Sequence, residues 1–162
     1  QSPSGWHRRT KKNGPQSIGK SRAGWTTKIH MVAADARTAV TFSLSPGQAG
    51  DAPEGRKLLK TLENNGWEGT HVIMDKAYEG DETRQLVLGL EMLPVVPPKC
   101  NRLSVWEYDK EMYKKRNEVE RLFRRLKGFR RIFSRFDKLD CVFIFFIHFA
   151  LITNAIISVN TP

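Results

Sequence analysis

One of the two carboxylates in the most basic stretch of the chain, Glu120, has cations before and after it. On a helix with about 100° per residue, one stripe beside the apolar face holds Tyr113, Arg116, Glu120 and Lys127. Carboxylate oxygen suits Mg²⁺ or Mn²⁺, and Arg and Lys suit the phosphates of a DNA backbone. A metal ion bound beside phosphate is therefore one interpretation. The plainer one is a surface ion pair between Glu120 and Arg124, worth about 0.3 kcal/mol, and spacing alone favours it.

The same stretch predicts an amphipathic helix over residues 113–127. Its apolar side chains recur at the three- and four-residue spacings of one helical stripe. They are Val119, Leu122, Phe123, Leu126 and, just beyond, Phe129. We expect this face to be buried, with Glu120 at its edge and with Gly128 kinking or ending the helix.

Asp75 is the second candidate carboxylate. It follows residues 71–74, a short and mostly apolar run that predicts a buried strand. A strand of an α/β sheet commonly presents a catalytic group at its carboxyl end, and a cap at the entry to the next loop is the alternative role for Asp75. Asp81 is expected to cap a helix over residues 82–90.

The neighbouring segments predict the elements that position these acids. Residues 26–32 and 38–44 are β-branched and partly alternating, which predicts a hairpin. A helix with a capping-box pattern of Asp51 and Glu54 is expected next. A further buried strand is expected at residues 92–96. Strands and helices therefore alternate, which is typical of an α/β fold.

The order Tyr, two residues, Arg, three residues, Glu, six residues, Lys in residues 113–127 resembles the signature of the DDE transposases of bacterial insertion sequences. The wider text RNEVERLFRRLKGFRRIFSRFDKL is similar to the same region of that family. DKAYEGD, which begins at Asp75, resembles its second acidic motif. SPGQAGD, residues 45–51, resembles its SxGxxxD-like stretch, and the resemblance covers residues 14–160.

This resemblance implies an α/β, RNase H-like fold: a mixed sheet flanked by helices, with three acids meeting at one end of the sheet. It implies that Asp75 and Glu120 are catalytic residues that bind Mg²⁺ or Mn²⁺. Two such ions, about 3.5–4 Å apart, would support cleavage and transfer of DNA strands. DNA-binding roles are expected for the side chains around Glu120, namely Tyr113, Arg116, Arg124 and Lys127.

The family's first acid has no counterpart in this sequence. In the family it lies on a first strand, before the basic segment, and that strand is central in the sheet. Here the first carboxylate is Asp35, inside the predicted hairpin turn, and Asp51 stands at a helix start. We therefore predict a sheet that lacks its first strand and a polypeptide that is inactive in transposition on its own. Unpaired strand edges would also favour aggregation.

The 162 residues amount to one domain, and the formal charge of +10 indicates a polyanionic partner. We expect double-stranded DNA, at transposon ends and target, and leave a homodimer open. Residues 1–25 predict a flexible basic arm, and residues 26–162 the partial RNase H-like catalytic domain. Cys100 and Cys141 fit neither a zinc site nor a disulfide framework, so a cytoplasmic location is expected.

Residues 141–159 are almost wholly apolar and follow a basic stretch, so a membrane span is an alternative. His148 and Asn154 would be costly in lipid, and we expect a buried core helix and no membrane partner instead. Two other functions are alternatives to the transposase. One is a non-catalytic basic DNA-binding relic, and the other is a small membrane-anchored basic protein.

Overall fold

The computed structural model describes residues 14–22, 24–63 and 65–159. Over these ranges the chain has three strands, then alternating helices and strands, and finally helices alone. This order confirms the α/β class that the sequence predicts.

An antiparallel hairpin forms the larger sheet, as the alternating residues predict. Strand β2 (Gly24–Ala33) pairs with β3 (Ala39–Pro46), and the short β1 (Gly19–Ser21) pairs with the beginning of β2. Asp35 lies in the turn between β2 and β3, where its carboxylate accepts hydrogen bonds from two backbone N–H groups at 2.6 and 2.9 Å. Those hydrogen bonds lower the pKa of Asp35, and the residue is a turn former as expected.

Part of the predicted basic arm belongs to this sheet. Residues 19–21 form β1 and residue 24 begins β2, so the sheet starts before residue 26. The N–H of Ser17 donates to the Asp140 carboxylate at 2.8 Å, which ties this segment to the last helix. Residues 1–13 of the predicted arm lie outside the described residues.

A second, smaller sheet carries the strand that leads to Asp75. Strand β4 (His71–Ile73) pairs in parallel with β5 (Leu93–Val95). Helix α2 (Asp81–Gly89) packs on β5, and α1 (Asp51–Lys60) packs on α2. Buried side chains form one core here: Leu59, Leu62, Met74, Val87, Met92 and Val96. The single mixed sheet that we expected is not formed by the described strands, because none of them hydrogen-bonds both β2 and β4.

Neither Asp51 nor Asp81 caps its helix through the side chain, so both capping predictions are wrong. The N-caps are Gly50 and Gly80, without a side-chain hydrogen bond, and each Asp is the first helical residue. Each carboxylate makes an ion pair instead, as Asp51 does with Lys28 Nζ at 2.8 Å. Both acids still favour their helices, because a negative charge in the first turn complements the helix dipole.

The helix predicted for residues 113–127 is divided in two. Helix α3 (Lys110–Lys114) ends before Arg116, and α4 (Asn117–Lys127) begins directly after it. At this junction the N–H groups of Lys115 and Arg116 bond to the carbonyls three residues back, at 3.0 Å each, which tightens the turn and ends the α-helical pattern. Helix α4 ends as predicted, with Gly128 as its C-cap.

The last helices cover one face of the hairpin. Helix α5 (Arg130–Phe133) leads to the long α6 (Asp140–Val159). A second core joins these helices to α4, β2 and β3: Leu126, Ile132, Phe143, Ile147 and Ala150, with Ile29, Met31, Phe42 and Leu44 packed against them.

Helix α6 is covered on one side only in its described part. Of residues 140–157, 17% are buried, although their mean hydropathy of 2.0 and their length would also permit a membrane span. The prediction that this helix is buried in the core is therefore correct for its inner side and wrong for its outer side. The reason is geometric, since the sheet covers only the stripe of the helix that faces it.

Candidate active site

Asp75 stands at the carboxyl end of β4, where the sequence places it. The preceding residue, Met74, is buried, and its N–H bonds to the Val95 carbonyl of β5 at 3.0 Å. The Asp75 carboxylate accepts from the N–H of Lys76 at 2.6 Å and caps a short 3-10 helix, Lys76–Tyr78. The strand-end and capping roles are thus both realised, while 59% of the side chain stays exposed.

Glu120 lies in the first turn of α4 and faces Asp75 across one guanidinium group. Arg116 Nη1 is 2.6 Å from Glu120 Oε1 and 3.8 Å from Asp75 Oδ2. Because both distances end on the same nitrogen, the two carboxylate oxygens are at most 6.4 Å apart, the sum of those distances. Two acids that are far apart in the sequence therefore share one solvent-accessible site.

Arg116 is the cation that joins these acids. Burial alone would lower the pKa of Arg116, but the hydrogen bond and charge of Glu120, with Tyr113 and Asp75, raise it above its usual value. A guanidinium here is a fixed positive charge that reduces the repulsion between the two carboxylates. The structure pairs Glu120 with Arg116 and not with Arg124, so the plainer interpretation from spacing is wrong about the partner.

Tyr113, on α3, lies beside Arg116. Its ring meets the Tyr108 ring edge-on with centroids 5.7 Å apart, and the Arg116 guanidinium is 5.9 Å from the Tyr113 ring centroid. Burial is the main cause that raises the pKa of Tyr113, opposed by Arg116 and supported by the charge of Asp75. The phenol is therefore neutral, and its O–H can donate a hydrogen bond to a phosphate oxygen.

Arg124 and Lys127 extend the positive charge along α4. Both are exposed and lie about one and two turns beyond Glu120, which is about 6 Å and about 10 Å further along the helix axis. Leu122 and Leu126 are fully buried and hold the apolar side of the same helix in the core. At about 100° per residue, the two cations and Glu120 therefore share the side of α4 that faces away from the core.

The described part of the chain offers a metal ion two carboxylates at this site and not three. No group of three or more His, Cys, Asp and Glu side chains that could hold a metal occurs among the described residues. Asp75 and Glu120 nevertheless fit one Mg²⁺ or Mn²⁺, because Mg²⁺ commonly binds one or two carboxylates and keeps several of its waters. The Arg116 guanidinium now balances both charges, so it would move aside for the ion.

A buried acid that the sequence reasoning missed holds the loop after Asp75. Glu79 is 5% exposed and pairs with Lys99 and Arg102, each at 3.0 Å. The hydrogen bond from Lys99 is the main cause that lowers the pKa of Glu79, and burial opposes it. Arg102 also lies over the Trp106 ring, 4.7 Å from its centroid. This cluster fixes the segment after β5 against the Asp75 loop, and the acid at the fifth position of DKAYEGD was the available signal.

Comparisons with known proteins match most of the chain. A family model described as the transposase DDE domain matches residues 3–155. A protein of Brucella ovis, assigned as a transposase for insertion sequence element IS6501, is 34% identical over 126 residues, which are 77% of this chain and 94% of that protein. No solved structure matches the chain significantly. The family match includes β4 and α4, the two elements that present Asp75 and Glu120.

Proposed function

We infer the function from a premise that the comparisons establish: this chain belongs to the DDE transposase family. Members of that family are enzymes that cleave DNA and transfer its strands, and the chain is a DNA transposase of an insertion sequence on this ground. We propose in addition that Asp75 and Glu120 are the carboxylates that bind its divalent metal ion.

The shared contact of Asp75 and Glu120 with Arg116 is the observation that carries this proposal. It brings two anionic oxygen ligands within 6.4 Å of each other, the sum of the 2.6 and 3.8 Å contacts. A guanidinium, itself a cation, lies between them, so this position favours positive charge. The exposure of both side chains gives an ion and a phosphate access from solvent.

In this proposal the residues around the acids bind and orient DNA. Arg116, Arg124 and Lys127 supply positive charge to backbone phosphates, and Tyr113 stacks or hydrogen-bonds near a strand end. The bound Mg²⁺ or Mn²⁺ would stabilise negative charge on a phosphate oxygen and activate water or a 3′-hydroxyl. We propose double-stranded DNA as the substrate and a second copy of the chain as a further partner. Binding of DNA and of a second copy is consistent with a cytoplasmic enzyme, and that is the location that we propose.

We propose an RNase H-like arrangement in which the two sheets are parts of one. The order of hairpin, helix, strand, helix and strand supports it, as does the parallel pairing of β4 with β5. In such a sheet one more strand would lie between β2 and β4, and none of the described strands does so. That strand would also carry a third carboxylate beside Asp75 and Glu120.

We expect the 162-residue polypeptide to give no strand cleavage or strand transfer with Mn²⁺. The reason is that a pair of metal ions needs more ligands than two carboxylates provide. The measurement follows a labelled duplex that carries an insertion-sequence end. Clear conversion of that duplex, abolished by Asp75→Asn, would contradict this expectation and make the two-carboxylate site sufficient.

The chain is expected to bind duplex DNA with little sequence preference and with a steep dependence on salt. The logarithm of the binding constant should fall by about 0.9 per phosphate contact for each unit of log salt. Replacing Arg124 and Lys127 together with Ala should reduce that slope by about 2 and weaken binding to all sequences alike. Fluorescence anisotropy between about 50 and about 200 mM salt measures both effects.

A matched control removes two cations from α1, through Lys57→Ala and Lys60→Ala. For this control, the slope of the logarithm of the binding constant against log salt should stay close to that of the unmodified chain, because α1 does not carry the proposed site. If both double variants lose the same slope, the DNA contact does not lie on α4. A flat salt dependence of the unmodified chain would argue against DNA binding altogether.

A further inference from the structure

Helix α1 has a glycine, Gly55, in its interior and on the side that faces the core. Gly55 stands three and four residues before the buried Leu58 and Leu59, so it lies on the same stripe of the helix. Only proline is less favourable than glycine in the interior of a helix. A glycine at this position therefore indicates that another group occupies the space of its side chain.

The ring of Tyr78 occupies that space. A Cβ on Gly55 would overlap the ring at Cε1 and would lie 3.0 Å from Cδ1, whereas carbon atoms in good contact are about 3.5–4.0 Å apart. The Tyr78 side chain is half-buried, and it also packs against the core that contains Leu59 and Val87. The ring therefore has little room to turn away, and its close fit against Gly55 fixes Tyr78 to α1.

Tyr78 is the last residue of the 3-10 helix that Asp75 caps. Its N–H donates to the Asp75 carbonyl at 2.9 Å, and Asp75 Oδ1 accepts from the N–H of Lys76 at 2.6 Å. The other carboxylate oxygen, Oδ2, is the one that lies 3.8 Å from Arg116. The position of the 3-10 helix therefore determines which way the Asp75 carboxylate points.

We propose that Gly55 and Tyr78 are positioning residues for the metal site. The ring packed on α1 holds the 3-10 helix in place, and the 3-10 helix directs Asp75 Oδ2 toward Arg116 and Glu120. This inference rests on the proposed role of Asp75 as a metal ligand. Groups that orient a metal ligand without touching the ion commonly change the metal affinity tenfold or more.

The surroundings of Asp75 make its orientation depend on this turn. Its side chain is 59% exposed, so packing around the carboxylate itself contributes little. The residue after Tyr78, Glu79, is buried and pairs with Lys99 and Arg102 at 3.0 Å each. The turn is therefore fixed at two successive residues, to α1 through Tyr78 and to the segment after β5 through Glu79.

Gly55→Ala is expected to lower the affinity of the chain for Mn²⁺ about tenfold, because the added methyl group displaces the Tyr78 ring and with it the Asp75 carboxylate. Tyr78→Ala should weaken Mn²⁺ binding as well, while Tyr78→Phe keeps the ring and should bind like the unmodified chain. In the double variant Gly55→Ala, Tyr78→Ala, the first change should cause no further loss, since the ring that it would displace is absent. Titration calorimetry measures the four affinities.

Gly89→Ala is the matched control, because Gly89 is also a helical glycine, in α2. Apart from its chain neighbours and its own helix backbone, a Cβ there would lie more than 4 Å from every described atom, so the Mn²⁺ affinity should not change. Unchanged affinity in Gly55→Ala, or equal losses in Tyr78→Phe and Tyr78→Ala, would overturn the proposal. Circular dichroism checks the fold, and if Gly55→Ala does not fold, the comparison of Tyr78→Ala with Tyr78→Phe decides.

A measurement without metal separates this proposal from the metal site itself. In the metal-free chain, the amide resonance of Lys76 in a nuclear magnetic resonance spectrum reports the hydrogen bond to Asp75. Gly55→Ala should shift this resonance and Gly89→Ala should not, and equal spectra at this position would overturn the positioning role. If Asp75→Asn binds Mn²⁺ as tightly as the unmodified chain, the metal site is refuted, and the Lys76 resonance alone then decides whether Gly55 orients Asp75.

Discussion

Replacing Asp75 with Asn, or Glu120 with Gln, is expected to lower the affinity of this chain for Mn²⁺ at least about tenfold. Each change removes one anionic oxygen from a two-carboxylate site and keeps the size of the side chain. Since both acids would hold the same ion, the two losses should not be additive. Electron paramagnetic resonance of free Mn²⁺, or titration calorimetry, measures the affinity.

Two further variants separate a metal site from a general effect of charge. Glu118→Gln removes a negative charge from the same helix, where Glu118 pairs with Arg121 at 2.8 Å, and should leave the Mn²⁺ affinity unchanged. Arg116→Ala removes the guanidinium from between the two acids and should strengthen Mn²⁺ binding several-fold, because a like charge then leaves the site. Equal losses for Glu118→Gln and Glu120→Gln would refute the site.

The parts of the site that the sequence predicts are those fixed by local patterns. An apolar run that ends in an acid predicts Asp75 at the end of β4, and alternating residues predict the pairing of β2 with β3. The apolar spacing that includes Leu122 and Leu126 predicts the buried side of α4, and both residues are fully buried. In each case the periodicity of a few neighbouring residues decides which side is covered.

Contacts between residues that are far apart in the sequence determine the features that these local patterns do not predict. The helical spacing runs through residues 113–127 without Pro or Gly, so nothing local marks the break at Arg116. That residue contacts Asp75, which lies far back in the chain, and this contact is invisible to periodicity. The caps at Gly50 and Gly80 differ from prediction for a similar reason, since Asp51 is engaged by Lys28 on another element.

Composition alone also could not separate the two sides of α6. An apolar helix has the same sequence pattern whether it is surrounded by protein on all sides, by lipid, or by a sheet on one side. The structure shows a sheet on one side, with Phe143 buried and Phe145 exposed only two residues later. How a helix is covered depends on the layers around it, and those come from β2 and β3.

Arg135→Met is expected to destabilise the fold by about 3 kcal/mol, because it leaves a partly buried carboxylate without its cation. The Arg135 side chain is 9% exposed, and its Nη2 is 2.6 Å from Asp140 Oδ1. Its Nη1 also donates to Thr27 Oγ1 at 2.7 Å, and the other Asp140 oxygen accepts from the N–H of Ser17. Urea unfolding near neutral pH measures the loss in the free energy of unfolding. The substitution removes contacts that join residue 17, β2 and α6.

The same pair predicts how stability depends on pH. Burial alone would raise the pKa of Asp140, but hydrogen bonds from Arg135 and Ser17 prevail and hold it below the ordinary value of 3.8. The contribution of Asp140 is therefore fully present above that pH and is lost as the pH falls below it. Arg135→Met should remove this acid-dependent loss. Arg121→Met is the control, because Arg121 is 60% exposed and lies 2.8 Å from Glu118, whose side chain is 35% exposed, and a surface pair of this kind contributes at most about 1 kcal/mol. If the two variants are equally stable, the Arg135 pair does not hold the junction, and α6 must be fixed to the sheet by its apolar inner side alone.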